Sequence, residues 1–411
     1  MSEIDGLTAD ADPIGPAGPG APSAHAPKRT RGGTSPEPGG TALSAGSARL
    51  RVVLLLGSAA GGVGVHVASL VRGLSAHGVA VTVAAPAETK AQFAFGAAGA
   101  RFVPVEIGSS PHPFDEATAR ALREAATGAH VVHAHNLRAA LAAAGALGRR
   151  RPGRTPLVLT LHNAVLATGL RAIPAHLMEK RAVRAADVVL GASDDLVDRA
   201  RHLGAGDARL GPVGAPLLPA PRRDRAAVRA ELGGTERPIL VAVGRLAPQK
   251  SYPLLLDAAR RWTALDPVPL VAIAGDGPLR EDLQARIDAE HLPVRLLGHR
   301  DDIADLLSAA DVAVLPSQWE ARSLAAQEAL RAGVPLVATA VGGLPELLGD
   351  AAVLVPHGDA DALADAVSAL LADDGRRAAL GEAGRARAQA WPDESDTVDQ
   401  ILRVYESLDA R

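Results

Sequence analysis

The chain has 411 residues, of which 47% are hydrophobic, and a formal net charge of −3, which is enough apolar material for two domains with full cores. It has no cysteine, so disulfide and thiol chemistry are excluded. Aromatic residues make up only 2%, which argues against base-stacking platforms and a nucleic-acid partner. Neither a secretory signal nor an apolar run of ~18 residues is visible, so a cytoplasmic location is expected.

The N-terminal part begins with a segment that cannot build a core. Residues 1–48 are rich in Pro, Gly, Ala and Ser and are predicted to be a disordered tail. A buried strand, a glycine loop and an amphipathic helix follow. Backbone N–H groups of Gly61 and Gly62, at the start of that helix, could approach a phosphate. A dinucleotide fingerprint is the competing interpretation, but Val67 replaces its third glycine, so no NAD and no other cofactor is expected.

Two later strands, 130–136 and 157–163, each end in His-Asn. Three histidines lie within six residues in the first of them, and His133 and His135 share one face of that strand. This pattern invites a zinc hypothesis. No carboxylate or cysteine lies close in sequence, so we predict that there is no metal site.

The charge is distributed unevenly. Basic residues outnumber acidic ones in 49–215, and the reverse holds in 216–411. A basic first half suits an anionic acceptor or a membrane surface. Its best candidate patch, 137–154, has an apolar face made mostly of alanine, which inserts poorly into lipid. A packed surface helix with a basic end is therefore favoured, and peripheral membrane contact is not expected.

The C-terminal half repeats a strand and a glycine turn that lead into a helix, at 239–250 and 270–283. Successive units of this kind predict a parallel sheet covered by helices on both faces. Arg245 and Lys250 lie in the loop after the first of these strands. They suit a diphosphate, because arginine is a forked donor and lysine a point charge. Two solvated charges at a helix start are the alternative interpretation.

The stretch 311–347 is predicted to be strand, loop, helix, strand and loop, with Ser323 as the N-cap of a helix over 324–332. Glu320 and Glu328 lie on either side of this loop-to-helix junction. Eight helical residues rise about 12 Å, whereas the carboxyl groups of a glycosidase lie about 5–9.5 Å apart. The spacing therefore suits the hydroxyl groups of an extended ligand better, and two solvated surface charges are the alternative.

Taken in order, these motifs resemble those of the retaining glycosyltransferases of family GT4, which have the GT-B fold. The motifs that carry the resemblance are Arg245…Gln249-Lys250, Gly275-Asp276-Gly277-Pro278, Glu320-x7-Glu328 and Gly342-Gly343-x-Pro345-Glu346. The resemblance implies an α/β protein with two Rossmann-like, doubly wound parallel-sheet domains that face each other across a cleft. It also implies transfer of a sugar, of the hexosyl type, from a nucleotide diphosphate sugar to an acceptor. No metal ion is expected to be needed, because the cations Arg245 and Lys250 can substitute for one.

The same resemblance implies roles for individual residues. The expected donor-binding residues are Gly61, Gly62, Gly244, Arg245, Lys250, Gly275, Ser323, Leu324 and Glu328. The expected catalytic residues are His162, Arg245, Lys250 and Glu320. Glu328 would accept hydrogen bonds from the ribose, and Glu320 would bind sugar hydroxyls. The two cations would stabilise the departing diphosphate, and His162 would lie beside the donor sugar and the acceptor.

The expected layout is a tail (1–48), an acceptor-side N-terminal domain (49–215), a nucleotide-sugar-binding C-terminal domain (216–390) and a final helix (391–411) that returns to the N-terminal domain. The chain departs from the family pattern at Ala321, where glycine is usual, and this leaves the sugar and the acceptor open. An anionic or lipid-linked acceptor is compatible with the basic first half. The alternatives are a nucleotide-sugar epimerase of similar fold and a catalytically inactive nucleotide-sugar-binding paralogue.

Overall fold

The computed structural model describes residues 49–57, 61–107, 116–166, 169, 172–211 and 213–409. The tail predicted over 1–48 lies outside the described residues, as do 58–60 of the glycine loop.

The first half alternates strands and helices around one parallel sheet. Its elements are β1 (Arg51–Leu55), α1 (Gly62–Ala76), β2 (Ala80–Ala85), α2 (Thr89–Phe93), β3 (Arg101–Pro104), α3 (Glu116–Ala126), β4 (Val131–Ala134), α4 (Leu137–Leu147), β5 (Leu157–Leu161), α5 (Ala172–Ala185), β6 (Val188–Gly191), α6 (Asp194–Leu203) and β7 (Ala208–Leu210). The strand order is β3-β2-β1-β4-β5-β6-β7, and every pairing is parallel.

The second half repeats this architecture and ends in three helices. Its elements are α7 (Arg225–Leu232), β8 (Ile239–Val243), a 3-10 turn (Pro248–Lys250), α8 (Tyr252–Trp262), β9 (Leu270–Ala274), α9 (Arg280–Glu290), β10 (Val294–Gly298), α10 (Ile303–Ala309), β11 (Val312–Leu315), α11 (Leu324–Ala332), β12 (Leu336–Thr339), α12 (Leu344–Leu348), a second 3-10 turn (Gly349–Ala351), β13 (Val353–Val355), α13 (Ala360–Leu371), α14 (Asp374–Gln389) and α15 (Glu394–Asp409). The strand order is β10-β9-β8-β11-β12-β13, again all parallel.

Each sheet is covered by helices on both faces, which explains the composition of its strands. All five residues of β5 (LVLTL) and of β9 (LVAIA) are buried, because neither face of a doubly covered parallel sheet meets water. Alanines fill much of the space between helix and sheet, as on α4, where Ala139, Ala140 and Ala143 are buried. The two Rossmann-like parallel-sheet domains expected from the sequence are confirmed.

The strand order places a binding crevice in each half. In both sheets the chain winds outwards in one direction from the first strand, then returns to its other side, between β1 and β4 and between β8 and β11. Ligands of open α/β sheets bind outside the carboxyl ends of the strands at such a reversal. The loops after these four strands carry most of the residues that the sequence singles out.

The last helix, α15, crosses back from the second half to the first. Five of its side chains are buried in the same apolar cluster as the inner face of α1: Val398, Ile401, Val404, Tyr405 and Leu408. The approach is close, because a Cβ atom at Gly73 of α1 would lie 2.3 Å from the Val398 side chain. The Ser69 hydroxyl donates to Glu394 at the start of α15. These contacts join the two halves at a second place besides the 211–216 connection.

Among the described residues, no helix combines the length and the apolar character that crossing a bilayer requires.

Candidate active site

A cavity of about 400 Å³ lies where the carboxyl ends of the two sheets face each other, a volume typical of small-molecule sites. Residues from both halves line it. Among them are ten of the residues singled out from the sequence: Gly61, Gly62, His162, Gly244, Arg245, Lys250, Glu320, Ser323, Leu324 and Glu328. The fold thus brings one glycine loop, one histidine, two cations and two glutamates around a single space.

Gly275 does not line this cavity. A Cβ atom at Gly275 would lie 2.0 Å from the carbonyl oxygen of Gly244, so a side chain would force the ends of β8 and β9 apart. The Gly275 amide donates to the carbonyl of Gly298 at 2.7 Å. Gly275 thus packs against Gly244, which lines the cavity, and its contact with the donor stays a prediction.

The two cations in the loop after β8 differ in their partners. The guanidinium of Arg245 is exposed and makes no hydrogen bond or ion pair with any described residue. Lys250 Nζ donates to Glu320 Oε1 over 2.5 Å. Arg245 is thus free to meet an anion that enters the cavity, whereas Lys250 already has an anionic partner.

Glu320 is held by its own loop and by the turn after β12. Ser317 Oγ donates to Glu320 Oε1 at 2.7 Å, and the amide of Gly343 donates to the Glu320 carbonyl at 2.8 Å. Gly342 has a φ of +52°, and a Cβ atom there would lie 2.1 Å from the same carbonyl oxygen. Both the positive φ and the close approach therefore require glycine at this position. The turn in this way fixes the position of the Glu320 backbone beside the cavity.

The pairing of Lys250 with Glu320 links two residues for which the resemblance implies separate roles, Lys250 at the diphosphate and Glu320 at the sugar hydroxyls. Here one carboxylate oxygen serves both Lys250 and Ser317, while Oε2 has no partner among the described residues. The cation and the carboxylate are thus pre-positioned by each other, and each still has capacity to bind a ligand.

The helix predicted over 324–332 is confirmed as α11, with Ser323 Oγ accepting from the Ala326 amide and Gly333 in the left-handed conformation at its end. Glu328 lies one turn inside α11 and lines the cavity. Burial raises its pKa to about 7, and nearby Arg331 opposes the shift only in part. A cleft carboxyl with a pKa near 7 is typical of a functional group rather than of a solvated surface charge.

The N-terminus of α1 faces the N-terminus of α11 across the cleft. Gly61 is the N-cap of α1 with a φ of +71°. A Cβ atom at Gly62 would lie 3.2 Å from the Leu324 side chain, so the glycine permits this close approach. Two helix N-termini that converge on one cavity favour a negatively charged ligand there.

His162 belongs to a group of buried imidazoles. His135 Nδ1 and His162 Nε2 lie 3.3 Å apart, and the ring of His66, on α1, lies 5.4 Å from that of His162. Burial lowers the pKa of His66 to about 4 and holds the pKa of His135 and of His162 well below the ordinary value. The rings are therefore neutral at physiological pH.

A second cavity, of about 270 Å³, adjoins the first on the side of the N-terminal half. It lies at the carboxyl ends of β1, β4 and β5 and is lined by Gly57, Asn136, Arg138, His162 and Asn163, among others. His162 and Asn163 line both cavities. A ligand in each cavity would therefore meet at His162.

Sequence reasoning missed two residues of the site. Arg322 lines the main cavity and donates from Nε to the Val213 carbonyl at 3.3 Å, while its Nη2 has no partner among the described residues. Its place beside Ala321, where the chain departs from the family pattern, was the available signal. His66 lies on α1, far in sequence from the other histidines. Its spacing of four residues from Gly62, one helical turn, could have placed it near the cleft.

Comparisons with known proteins identify the two domains that form the cavity. A family model described as "Glycosyl transferase 4-like domain" matches residues 61–216, and one described as "Glycosyl transferases group 1" matches residues 224–387. The boundary between the two matches, 217–223, lies in the segment between β7 and α7 that connects the two halves.

Two curated relatives and one solved structure show the same relationship. The chain is 36% identical over 278 residues to a D-inositol 3-phosphate glycosyltransferase of Geodermatophilus obscurus, covering 61% of each chain. It is 32% identical over 201 residues to a GDP-mannose-dependent monoacylated alpha-(1-6)-phosphatidylinositol monomannoside mannosyltransferase of Corynebacterium glutamicum, covering 46% of this chain and 53% of that one. The structure of Anabaena HepE in complex with UDP-glucose superimposes with a TM-score of 0.74 at 20% identity, over 87% of this chain and all of that one.

The matched region spans between half and two thirds of the length of these two curated relatives. The likeness to HepE concerns the fold. Because the two family models lie in succession on the two Rossmann-like domains, the chain belongs to glycosyltransferase family 4 and has the GT-B fold.

Proposed function

We propose that this protein transfers a sugar from a nucleotide diphosphate sugar to an acceptor, retains the anomeric configuration of the donor and needs no metal ion. One observation carries the proposal. Glu328, Arg245, the Lys250–Glu320 pair and two helix N-termini line one cavity, which meets a second cavity at His162. Glu328 suits the nucleotide, Arg245 and Lys250 the diphosphate, Glu320 the sugar, and the cavity beside His162 the acceptor.

Glu328 suits the ribose of the donor. An ionised carboxylate accepts hydrogen bonds from two vicinal hydroxyls, and such bonds to a charged group contribute about 1.5–3 kcal/mol. The carboxyl lies deep enough for burial to raise its pKa to about 7. The ribose hydroxyls would supply the hydrogen bonds that the ionised Glu328 carboxylate does not receive from the described residues.

The diphosphate would lie between the two helix N-termini. Backbone N–H groups at Gly62 on α1 and at Leu324 on α11 are unpaired within their helices, as the first residues of each helix always are. Arg245 adds a forked cation and Lys250 a second positive charge. Preorganised donors placed where negative charge develops are usually the largest catalytic contribution, and here they would act on the departing diphosphate.

Glu320 would hold the sugar through its Oε2 atom, while Lys250 fixes Oε1. This arrangement supports retention without a covalent intermediate. The acceptor hydroxyl approaches the anomeric carbon from the face that the diphosphate leaves. The bond between the anomeric carbon and the diphosphate oxygen breaks, the bond to the acceptor oxygen forms, and the acceptor proton passes to the diphosphate oxygen. Neither glutamate is then needed as a nucleophile.

The acceptor would occupy the cavity beside His162. Arg138 lines that cavity, and the curated relatives named above act on an inositol phosphate and on a phosphatidylinositol mannoside. These observations favour a polyol acceptor that carries a negative charge, free or lipid-linked. These observations do not identify the nucleobase or the sugar of the donor, so UDP sugars and GDP sugars are both candidates.

The test begins with a thermal-shift screen of UDP and GDP sugars on the full chain. The nucleotide sugar that raises the melting temperature is then incubated with the protein and anionic polyol acceptors, and the products are separated by mass. Arg245→Ala serves as the control, because Arg245 is exposed and has no described partner, so the fold should survive its loss.

The outcomes separate the candidate functions. A glycosylated acceptor that wild type makes and Arg245→Ala does not supports transfer. An isomerised nucleotide sugar formed without acceptor would identify an epimerase. Binding without turnover across the acceptor panel would favour an inactive nucleotide-sugar-binding paralogue, and absence of binding to every nucleotide sugar would refute the proposal.

A further inference from the structure

Three histidines from three different elements form a cluster at the edge of the cleft, which we call the histidine cluster: His66 on α1, His135 after β4 and His162 after β5. Each offers one ring nitrogen, and these three nitrogens all lie within 4.8 Å of one another. His66 and His135 are buried, and His162 is partly accessible from the cavity. Strand order brings them together, since β1, β4 and β5 are neighbours in the sheet.

Among the described residues, the rings of the histidine cluster make one hydrogen bond, and it lies inside the cluster, between His135 Nδ1 and His162 Nε2 at 3.3 Å. His133, directly beneath it, shows the contrast: its Nε2 pairs with Thr160 Oγ1 at 2.7 Å and its Nδ1 with the Tyr405 hydroxyl at 2.6 Å. The His135 ring packs against the His133 ring, with centroids 4.1 Å apart and planes tilted by 32°, yet His135 Nε2 is buried without a partner among the described residues. His66 likewise makes no side-chain hydrogen bond within the described part of the chain.

The geometry points to a binding site for a divalent transition-metal ion, and we propose that the histidine cluster binds Zn²⁺ or a chemically similar cation through three imidazole nitrogens. Two imidazoles on a tetrahedral zinc, each about 2.0–2.1 Å from the metal, have their nitrogens about 3.3–3.4 Å apart. The nitrogens of His135 and His162 lie at 3.3 Å. The His66 ring, with its centroid 5.7 Å from that of His135, has to move by roughly an ångström to complete the set.

Three neutral imidazoles leave the fourth coordination position open. His162 lines the cavity, which gives the ion an entry path and room for a water molecule or an anion. Metal binding would withdraw His162 from substrate. The proposed ion therefore acts as an inhibitor of the cleft rather than as a participant in transfer, and the chemistry of three imidazoles selects Zn²⁺, Cu²⁺, Ni²⁺ or Co²⁺ over Mg²⁺.

The proposal is tested by metal binding alone and does not depend on the proposed transfer. Co²⁺ is titrated into the chelator-treated full chain, and the visible absorption of four-coordinate cobalt is followed, with Zn²⁺ then displacing it. The variants are His66→Phe and His135→Phe, which keep an aromatic ring but remove its nitrogens. His299→Ala is the matched control, because His299 is 81% exposed and lies outside the histidine cluster.

We expect one Co²⁺ per chain with four-coordinate absorption in wild type and in His299→Ala. Each cluster variant should bind at least about tenfold more weakly. Far-UV circular dichroism establishes that each variant is folded, and His66→Asn replaces any that is not. X-ray absorption of the Zn²⁺ form of wild type should show about three nitrogen neighbours near 2.0 Å. Wild type without stoichiometric binding, or cluster variants that bind as wild type does, would overturn the proposal.

Discussion

Replacing Glu328 with glutamine removes one titrating carboxyl from the cleft and changes the size of the side chain very little. Burial raises the pKa of Glu328 to about 7, from an ordinary value of 4.5. If donor hydroxyls bind the ionised form, the donor must lower this pKa when it binds. Donor affinity then rises with pH through the pKa of the free protein.

The size of the effect follows from linkage. With a free-state pKa of about 7 and a donor-bound pKa well below it, affinity for the donor should be about tenfold higher at pH 8 than at pH 6. The Glu328→Gln variant should bind about tenfold more weakly than wild type at pH 8, and the two should converge towards pH 6. The buried histidines do not contribute to the change in affinity between pH 6 and pH 8, since burial holds the pKa of each well below this range.

Stability without donor should respond with the opposite sign. Between pH 4.5 and about 7, the folded state holds a proton on Glu328 that the unfolded chain has released. The free energy of unfolding therefore falls as pH rises through this window, by about 3 kcal/mol from this group. Glu328→Gln removes that component, so the variant should be more stable than wild type at pH 8.

Isothermal titration calorimetry at pH 6, 7 and 8 measures the affinity, and urea unfolding at the same pH values measures stability. The ligand should be an intact nucleotide sugar, because a nucleoside diphosphate has a terminal phosphate that titrates near pH 6. Equal donor affinity of wild type and Glu328→Gln at pH 8 would refute the ribose assignment. A stability difference that does not change with pH would refute the buried, titrating carboxyl.

Three further predictions concern the leaving group, the product and the tail. Arg245→Ala should reduce turnover by about 10²-fold or more with an unchanged melting temperature. Lys250→Ala should reduce both turnover and melting temperature, since it leaves the buried Glu320 carboxylate without its cationic partner at a cost of about 1–3 kcal/mol. Near-normal turnover in both variants would exclude the diphosphate role. NMR of the anomeric proton should show an α-linked product from an α-linked donor with chelator present, and a β-linked product or strict metal dependence would contradict the mechanism. Deletion of residues 1–48 should leave activity and melting temperature nearly unchanged, because the segment carries too few apolar side chains to dock; a drop of several degrees would show otherwise.

Elements defined by local signals were predictable from the sequence. The helix over 324–332 follows from the Ser323 cap, its apolar spacing and the glycine after it, and the structure has the same bounds. Buried strands alternating with glycine loops and helices predicted two parallel sheets. These signals act within a few residues of each other, so a single chain displays them directly.

The location of the site was also predictable, because the carboxyl ends of parallel strands lie at the same edge of a sheet. Arg245, Lys250, Glu320 and His162 each follow a strand, and all four line the cavity. What the sequence could not give was the state of these groups. The pairing of Lys250 with Glu320 joins residues that are 70 positions apart.

The sequence by itself thus determined the class of fold, the repeated βα units and the candidate residues, since caps, glycine turns and apolar periodicity are local. The tertiary structure alone decided which of them meet. It placed Arg322 in the cavity wall and Gly275 against Gly244 outside it, and it brought His66 close to His135 and His162. The physical reason is that strand order and helix packing set these contacts, and both depend on apolar burial summed over whole sheets rather than on any short segment.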